Sequence, residues 1–381
     1  MASVIVFGLS SGGLFLLREL SKSENVIGIG KKEQIGLMSK YGTKYQVDTS
    51  EDLRIILKNI LKKEREKPRA IIAGGYFLTM ILEDIPEVFN DLNIIGPSFN
   101  TYKILNDKYK TYDLLKKFNI PYPDTYPLLD KNKYKYPLIL KWSSVELNRS
   151  KKIIKKIKII KTEEQLENIF KSIDLNDTKL LLQRYLSDGF KEYRYGCFLK
   201  NGEIILDIFV KAKRQYPSGI SSFIVEIEND YTLYIKENII KMLKAIKYIG
   251  FIQFDILVNE SSGKYFVLDV NPRPWSSIKI LKKKYESFNK LLKISEFNIR
   301  NKKVQWVNLS TDAVSIIKIS IKNKSLKYLF KSYYEYFKKP IITDVIELGD
   351  IKPFFGLVKL AFKKLKRLIK TTLRKCFLWI I

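Results

Sequence analysis

Two apolar stretches separated by a short polar turn, GFIQFDILV at residues 250–258 and KYFVLDVN at residues 264–271, decide the fold of this chain. Apolar and polar residues alternate along much of both stretches, which is typical of β-strands whose successive side chains point to opposite faces. The intervening residues form a turn centred near Ser262. The sequence therefore predicts an antiparallel hairpin in which Asp255 faces Asp269 and Gln253 faces Asn271.

The two faces of this hairpin differ in chemistry. One face is predicted to be apolar and to comprise Ile252, Phe254, Ile256, Val258, Phe266, Leu268 and Val270. The other carries Asp255 opposite Asp269, and directly opposed like charges destabilise a strand pair unless something compensates them. Mg²⁺ is often held by one or two carboxylates together with substrate phosphates. The pattern fits a metal site formed by Asp255, Asp269 and Asn271, and it fits equally a solvated polar face on an edge hairpin.

Composition limits the partners that the chain could bind and the catalytic groups that it could use. The 381 residues suffice for two or three domains, and 69 Lys and Arg residues against 40 Asp and Glu residues give a formal charge of +29. Such a field favours anionic partners such as nucleotides, phosphorylated sugars, nucleic acid or an anionic membrane. The chain has no histidine, which excludes histidine-based triads, metal sites and general bases. The two cysteines, Cys197 and Cys376, are far apart and are expected to be reduced thiols in a cytoplasmic protein.

The N-terminal third alternates short apolar strands with helical patterns, beginning with VIVF at residues 4–7. This alternation predicts a parallel sheet flanked by helices. The glycine-rich turn at residues 8–13 is not a GxGxxG motif and lacks a convincing acidic partner for a ribose, which favours a structural turn over a dinucleotide site. No secretory signal and no run of 18 apolar residues is evident, so a cytoplasmic location is expected.

Several motifs, in the right order, resemble the ATP-grasp superfamily. LDVNPRPW at residues 268–275 is similar to the E-(I/V)-N-P-R motif of the family, with Asp in place of Glu, and residues 251–257 resemble the strand that carries the other metal carboxylate. NDKYK at residues 106–110 and YPLILK at residues 136–141 resemble the two nucleotide lysine regions. LLQRYL at residues 181–186 resembles the interdomain strand that meets the adenine.

One further stretch narrows the resemblance. KAKRQYP at residues 211–217, followed by Ser218-Gly219 and Ser221-Ser222, is similar to a segment of predicted carboxylate–amine ligases often associated with cell-surface polymer synthesis. The resemblance covers roughly residues 1–285 and implies an α/β (α+β) fold. Its parts would be an N-terminal parallel α/β pre-ATP-grasp domain (1–105), a two-lobed ATP-grasp domain (106–300, with lobes of about 120–185 and 186–300) and a C-terminal extension with a basic amphipathic helix (301–381).

The resemblance also implies site roles. The residues expected to bind ATP are Lys108 and Lys141 at the phosphates, Gln183, Tyr185 and Leu186 at the adenine, and Glu192 at the ribose. Those expected to hold Mg²⁺ or Mn²⁺ are Asp255, Asp269 and Asn271. Those expected to contact the transferring phosphoryl group, the substrate or an acylphosphate are Arg273, Lys211 and Arg214.

The implied reaction is the attack of a substrate carboxylate on the γ-phosphate, followed by capture of the acylphosphate by an amine. Two departures from the family pattern bear on it. The segment at residues 143–150, where the family has a glycine-rich phosphate loop, has no glycine, and Asp269 is shorter by a methylene than the usual Glu. A relative that binds ATP without catalysis therefore stays open as an alternative.

The C-terminal segment is strongly basic, with no acidic residue after Asp350. Residues 354–381 have a helical pattern with an apolar stripe, which is typical of a helix lying in an anionic membrane interface. The alternative is a helix packed on the domain with a solvated basic face. Membrane contact would suit a lipid-linked substrate and a peripheral location on the inner face of the membrane; a small soluble acid and amine are the other option.

Two other classes of protein fit the sequence less well. An oxidoreductase using the N-terminal domain would leave the face of Asp255, Asp269 and Asn271 unexplained. A nucleic-acid-binding protein is suggested by the +29 charge and the 23 tyrosines, but the chain has no recognisable binding motif and its charge is spread along its length. Nucleic acid is therefore disfavoured as a partner.

Overall fold

The computed structural model describes residues 2–128, 134–143, 158–171, 180–186, 189–216, 219–294, 296–300, 303–338 and 341–360. Its strands form three sheets of five, four and seven strands. The five-stranded sheet is N-terminal, the four-stranded sheet follows, and the seven-stranded sheet takes most of the second half of the chain.

The N-terminal sheet is parallel and has the order β3-β2-β1-β4-β5. Its strands are β1 (Val4–Phe7), β2 (Val26–Gly30), β3 (Thr43–Gln46), β4 (Arg69–Ile72) and β5 (Asn93–Ile94). The accompanying helices are α1 (Ser11–Leu20), a 3-10 helix (Ile35–Met38), α2 (Ser50–Leu61), α3 (Gly75–Glu83), α4 (Val88–Asp91) and α5 (Phe99–Leu105). The predicted parallel α/β unit is confirmed, and its central strand is fully buried, as expected for a sheet covered on both faces.

The glycine-rich turn between β1 and α1 is needed for close packing. Gly8 has a φ of +94°, and a Cβ on Gly13 would lie 1.7 Å from the Gly8 carbonyl oxygen. A Cβ on Gly12 would lie 2.6 Å from the carbonyl oxygen of Trp275. The turn therefore lets the start of α1 approach the segment that follows the 250–271 hairpin.

The four-stranded sheet has the order β6-β9-β7-β8. Its strands are β6 (Thr125–Tyr126), β7 (Leu138–Trp142), β8 (Lys158–Ile160) and β9 (Leu180–Arg184). In the chain, α6 (Lys108–Lys117) precedes β6, and α7 (Glu163–Phe170) connects β8 to β9. The glycine-free segment noted above, at residues 143–150, lies outside the described residues from position 144 onward. Residues 151–157, which precede β8, are outside them too.

The seven-stranded sheet has the order β14-β13-β10-β11-β12-β15-β16. Its strands are β10 (Phe190–Lys200), β11 (Glu203–Gln215), β12 (Ser221–Glu226), β13 (Gly250–Asn259), β14 (Tyr265–Asn271), β15 (Gln305–Val307) and β16 (Ile341–Thr343). Its helices are α8 (Asp230–Ala245), α9 (Leu281–Lys284), α10 (Leu309–Lys322) and α11 (Leu326–Lys338), with 3-10 turns at Ile278–Ile280 and Phe288–Lys290. Strands from beyond residue 300 thus extend the same sheet as the hairpin.

The last described segment returns to the N-terminal sheet. Arg18 of α1 is 1% exposed and donates from Nε to Asp350 Oδ2 (2.8 Å) and from Nη1 to the Val345 carbonyl (2.8 Å). A helix over residues 352–360, α12, follows, and its apolar side packs near Leu14 and Ile35. The rest of the predicted basic helix, 361–381, lies outside the described residues. Within the described ranges, no helix has the length and apolar character needed to cross a membrane.

We predict that Arg18→Met destabilises the protein by about 3–5 kcal/mol, because it leaves the buried carboxylate of Asp350 without its cation. Urea denaturation measures the change. The control is Arg54→Met, whose ion pair with Glu87 is exposed and screened by solvent, so that its loss is expected to change stability much less. Equal losses of stability in the two variants would show that the Arg18–Asp350 pair contributes no more than an exposed ion pair.

Candidate active site

The hairpin of β13 and β14 has the predicted register at its functional end. Gln253 pairs with Asn271 and Asp255 with Asp269. A bulge beyond Asp255 then shifts the register by one, so that Ile256 pairs with Val267. The prediction that Phe266 and Leu268 lie on the core face is wrong, since Tyr265 and Val267 take those places. The bulge adds one residue and reverses the alternation of faces in β14.

At the bulge, side chains form the described contacts of the Leu268 carbonyl oxygen. It accepts a hydrogen bond from the Tyr112 hydroxyl of α6 (2.8 Å) and lies 3.3 Å from Lys141 Nζ of β7. The same hydroxyl accepts from Lys141 Nζ (3.1 Å) and from Gln183 Nε2 of β9 (2.9 Å). Tyr112 therefore uses its donor and both acceptor positions to join α6, the four-stranded sheet and the hairpin.

Each hairpin carboxylate is paired with a cation from elsewhere in the chain. Lys108, the first residue of α6, places Nζ 3.0 Å from Asp269 Oδ1. Arg194, opposite Asp255 on β10, places Nε 3.0 Å from Asp255 Oδ1. The mutual repulsion of the two carboxylates is thus offset by charges supplied through tertiary contacts.

The segment after the hairpin continues this polar network. Asn271 Nδ2 donates to Asp255 Oδ2 (3.3 Å), and its Oδ1 accepts from Arg273 Nη2 (3.1 Å). The amide therefore lies between the Asp255 carboxylate and the Arg273 guanidinium, with its oxygen facing the guanidinium. Trp275, 3% exposed, packs against Phe251 with ring centroids 6.3 Å apart and fixes the position of this segment.

The electrostatic environment shifts the pKa of several of these groups. Burial raises the pKa of the Asp255 carboxyl, and Asp269 adds to this while Arg194 opposes it. Burial also acts on Asp269, but Lys108 and Lys141 outweigh it and hold the pKa of that carboxyl below its ordinary value. For Lys141, burial and the neighbouring Lys108 lower the pKa to about 7. The cluster is thus a partly buried site in which Asp269 remains 33% exposed and the two lysines favour negative charge beside them.

The donor set suits a hard divalent cation only in part. Asp255, Asp269 and Asn271 bring carboxylate and amide oxygens to one end of one hairpin, the ligand types that Mg²⁺ prefers. Across the ranges that the structure describes, no three Cys, Asp or Glu side chains lie together in a group that could hold a metal ion. A Mg²⁺ ion here would therefore need further oxygens from phosphates or water.

Solved structures share this architecture. The biotin carboxylase domain of the Hydrogenobacter thermophilus 2-oxoglutarate carboxylase, in complex with MgADP, ADP and bicarbonate, superposes with a TM-score of 0.62 over 80% of this chain and 73% of that one, at 15% identity. An L-amino acid ligase from Bacillus licheniformis gives 0.59 over 78% and 75%, at 14% identity. The chain has the ATP-grasp fold.

Sequence comparison points the same way. The carbamoyl phosphate synthase large chain of Caldanaerobacter subterraneus is 27% identical over an alignment of 246 residues that covers 60% of this chain. The chain spans only 22% of the length of that protein. No family model matches the chain.

Within the ATP-grasp fold, Glu192 lies on the same face as Asp255. It contacts Arg194 and Gln215, and accepts from the Ser221 hydroxyl (3.3 Å). Burial raises the pKa of its carboxyl. Glu192 thus belongs to the cluster, joined to Asp255 through Arg194. Gln183 is linked to the cluster through the Tyr112 hydroxyl. Tyr185 and Leu186 come directly after the last residue of β9.

Two of the expected catalytic residues lie elsewhere. Lys211 is opposite Tyr193 on β10, on the face turned away from Arg194 and Asp255, and its ammonium contacts Glu260. Arg214 is 4% exposed and its Nη2 pairs with Asp312 Oδ2 (2.7 Å). Neither residue is placed beside the hairpin carboxylates.

Arg194 and Tyr112 were missed by sequence reasoning. Arg194 could have been found from strand alternation, because it follows Glu192 by two residues in β10 and so shares its face. No local pattern marks Tyr112, one of 23 tyrosines, because its partners lie on β9, β7 and β14.

We predict that Tyr112→Phe lowers the free energy of unfolding by about 1–3 kcal/mol, because it removes a donor to the Leu268 carbonyl and one acceptor each from the buried Gln183 amide and from Lys141 Nζ. Urea denaturation again gives the change. Tyr76→Phe is the control, since its exposed hydroxyl donates only to the Asp48 carbonyl (3.2 Å) and its loss should cost less than about 0.5 kcal/mol. An unchanged stability of the Tyr112 variant would show that this network contributes nothing.

Proposed function

We propose that the chain is an ATP-dependent ligase that activates a substrate carboxylate as an acylphosphate and joins it to an amine or similar nucleophile. The observation that carries the proposal is the cluster on the hairpin of β13 and β14. There two carboxylates and an amide oxygen, Asp255, Asp269 and Asn271, are surrounded by cations from three parts of an ATP-grasp fold.

In this proposal Lys108 and Lys141 bind the phosphates of ATP. Lys108 lies 3.0 Å from Asp269, and the electrostatic influence of both lysines reaches that carboxylate. Polyphosphate arriving here would give the two ammonium groups a second, more highly charged anion at a partly buried site. Gln183, Tyr185 and Leu186, on and just after β9, are proposed to line the adenine site, and Glu192 to meet the ribose.

Asp255, Asp269 and Asn271 are proposed to hold Mg²⁺ or Mn²⁺ together with phosphate oxygens. When bound, the ion would neutralise charge on the phosphates and orient them. Filling this role requires Lys108 and Arg194 to share or release the carboxylates that they pair with in the described state.

Arg273 is proposed to bind the transferring phosphoryl group or the substrate carboxylate. Its guanidinium contacts Asn271 Oδ1 through one nitrogen and the Pro274 carbonyl through another (3.3 Å). Its planar fork suits anions with two oxygens. Burial lowers the pKa of Arg273, which the two aspartates oppose, so an arriving anion would relieve an unfavourable environment.

The acyl donor is proposed to be a small or lipid-linked carboxylic acid. Among the proteins with this fold, one was determined with bicarbonate and another is named for ligating L-amino acids. Both kinds of molecule carry a carboxylate that Arg273 could bind. The basic pattern at residues 354–381 is what favours a lipid-linked acid over a soluble one.

The test is calorimetric titration of the chain with ATP and Mg²⁺. We expect metal-dependent binding that weakens by at least about tenfold in Asp269→Ala, because even outer-shell partners of a metal contribute 10–100-fold to its affinity. The control is Asp91→Ala, an exposed carboxylate of α4, which should bind like the unaltered chain. NAD serves as the control ligand for an oxidoreductase.

The outcomes separate the alternatives. Absence of ATP binding in the folded chain would sink the ligase proposal. Binding followed by phosphate release with some member of a panel of carboxylates and amines would support it. Binding without phosphate release from any of them would instead favour an ATP-grasp relative that has lost catalysis.

The low pKa of Lys141, about 7 because of burial and the charge of Lys108, predicts that ATP binding takes up a proton. At pH 8 the ammonium is mostly deprotonated in the free protein, and phosphate charge should raise its pKa and protonate it. At pH 6 it is already protonated, so uptake should be close to zero. Calorimetry in two buffers of different ionisation enthalpy measures the proton count.

The matched variants are Lys141→Met and Lys161→Met, the second an exposed lysine before α7. Lys161→Met should preserve the uptake at pH 8, and Lys141→Met should abolish it. Equal proton uptake in both variants would show that another group titrates.

A further inference from the structure

The proposed ligase chemistry does not use the helical hairpin formed by α10 and α11. Its inner side is held on the large sheet by Arg214. That guanidinium pairs with Asp312 of α10 (2.7 Å) and Glu335 of α11 (2.8 Å), while Tyr336 donates to Asp312 Oδ2 (2.6 Å). Ser315 adds a hydrogen bond to the Gln215 carbonyl (3.1 Å). Arg214 thus anchors both helices.

The outer side of the hairpin is apolar and exposed. Ile321 is 71% exposed, Leu326 74% and Phe330 69%, and Ile317 lies one turn before Ile321. These spacings of four residues place the side chains in rows along each helix. We call the outer stripe the set Val314, Ile317, Ile321, Leu326, Phe330 and Tyr334, the exposed apolar and aromatic residues of the two helices.

The charge around the outer stripe has one sign. Exposed lysines lie beside it at Lys318, Lys324, Lys327 and Lys331. The two acidic residues of residues 309–338, Asp312 and Glu335, both point inward to Arg214. Among the described residues no acidic side chain forms an ion pair with these four lysines, so the outward face combines large apolar side chains with positive charge.

A face of this kind matches one surface chemistry. Amphipathic helices with apolar side chains flanked by lysines lie in the interface of anionic bilayers, where the apolar groups enter the headgroup boundary and the lysines meet phosphates. With 14 and 13 residues, α10 and α11 are shorter than the roughly 20 residues that a spanning helix needs. A second copy fits less well, because a two-fold contact would bring together two faces that both carry these lysines and no outward acidic residue of their own.

We propose that the outer stripe is a docking surface for an anionic phospholipid bilayer. Leu326 and Phe330 enter the headgroup region, and Lys327 and Lys331 contact lipid phosphates. The surface lies on described residues and is distinct from the basic segment at 361–381. It is also independent of whether the chain is a ligase.

The first experiment measures co-sedimentation of the full chain with vesicles of phosphatidylcholine alone or mixed with phosphatidylglycerol. We expect binding to the mixed vesicles, weakening in high salt, and little binding to phosphatidylcholine. Lys331→Glu should lower the partition coefficient by about fivefold or more, the factor expected for a basic charge at an anionic surface. Phe330→Ser should lower it as well.

The matched controls are Lys58→Glu and Ile55→Ser on α2, which alter an exposed lysine and an exposed apolar residue of another helix. Both should bind vesicles like the unaltered chain. Thermal unfolding of each variant confirms that it is folded. If the α2 and α11 variants lose binding equally, or if none loses it, the proposal is wrong.

Hydrogen exchange of the unaltered full chain locates the contact without any substitution. We expect amides of residues 326–334 to be protected by mixed vesicles and those of α2 to be unaffected. Binding through residues 361–381 alone would hold the chain on vesicles without protecting α11 and would overturn the proposal. So would a dimer in solution that Phe330→Ser dissociates, since a second copy would then cover the stripe.

Discussion

Asp255 and Asp269 face each other across a pair of strands. The rest of the site must offset the repulsion between these two carboxylates. Their repulsion is fixed by the hairpin register, and it is offset by Lys108 from α6 and Arg194 from β10. These cations come from segments far apart in the chain. The carboxylate pair therefore depends on the assembled sheets, and it brings the start of α6 and the large sheet to one place.

The bulge beside Asp269 has a comparable effect through the backbone. It leaves the Leu268 carbonyl to the Tyr112 hydroxyl and the Lys141 ammonium. A buried carbonyl needs a partner, and here the partners come from α6 and β7. The bulge therefore positions the second lysine as well as ending the regular alternation of the strand.

Four arginines show that residue type alone does not determine the role of a residue. Arg273 and Arg194 lie beside the hairpin carboxylates, whereas Arg214 holds α10 and α11, and Arg18 holds residues 345–350 on α1. All four are cations in a chain rich in them. Arg194, Arg214 and Arg18 each pair with an acid that the fold brings near, whereas Arg273 donates to the Asn271 amide oxygen. Breaking the buried pairs of Arg214 or Arg18 would leave a charge uncompensated.

The sequence by itself determined the parallel N-terminal sheet, the hairpin and the pairing of Asp255 with Asp269, because these follow from the local alternation of apolar residues and from turns. The pairing of Arg214 with Asp312, 98 positions away, depends on the tertiary structure, as does that of Arg18 with Asp350, 332 positions away. The same holds for the displacement of Phe266 and Leu268 from the core face. Periodicity records what a residue does relative to its neighbours in the chain. It does not record which distant charge or carbonyl will arrive beside it when the sheets assemble.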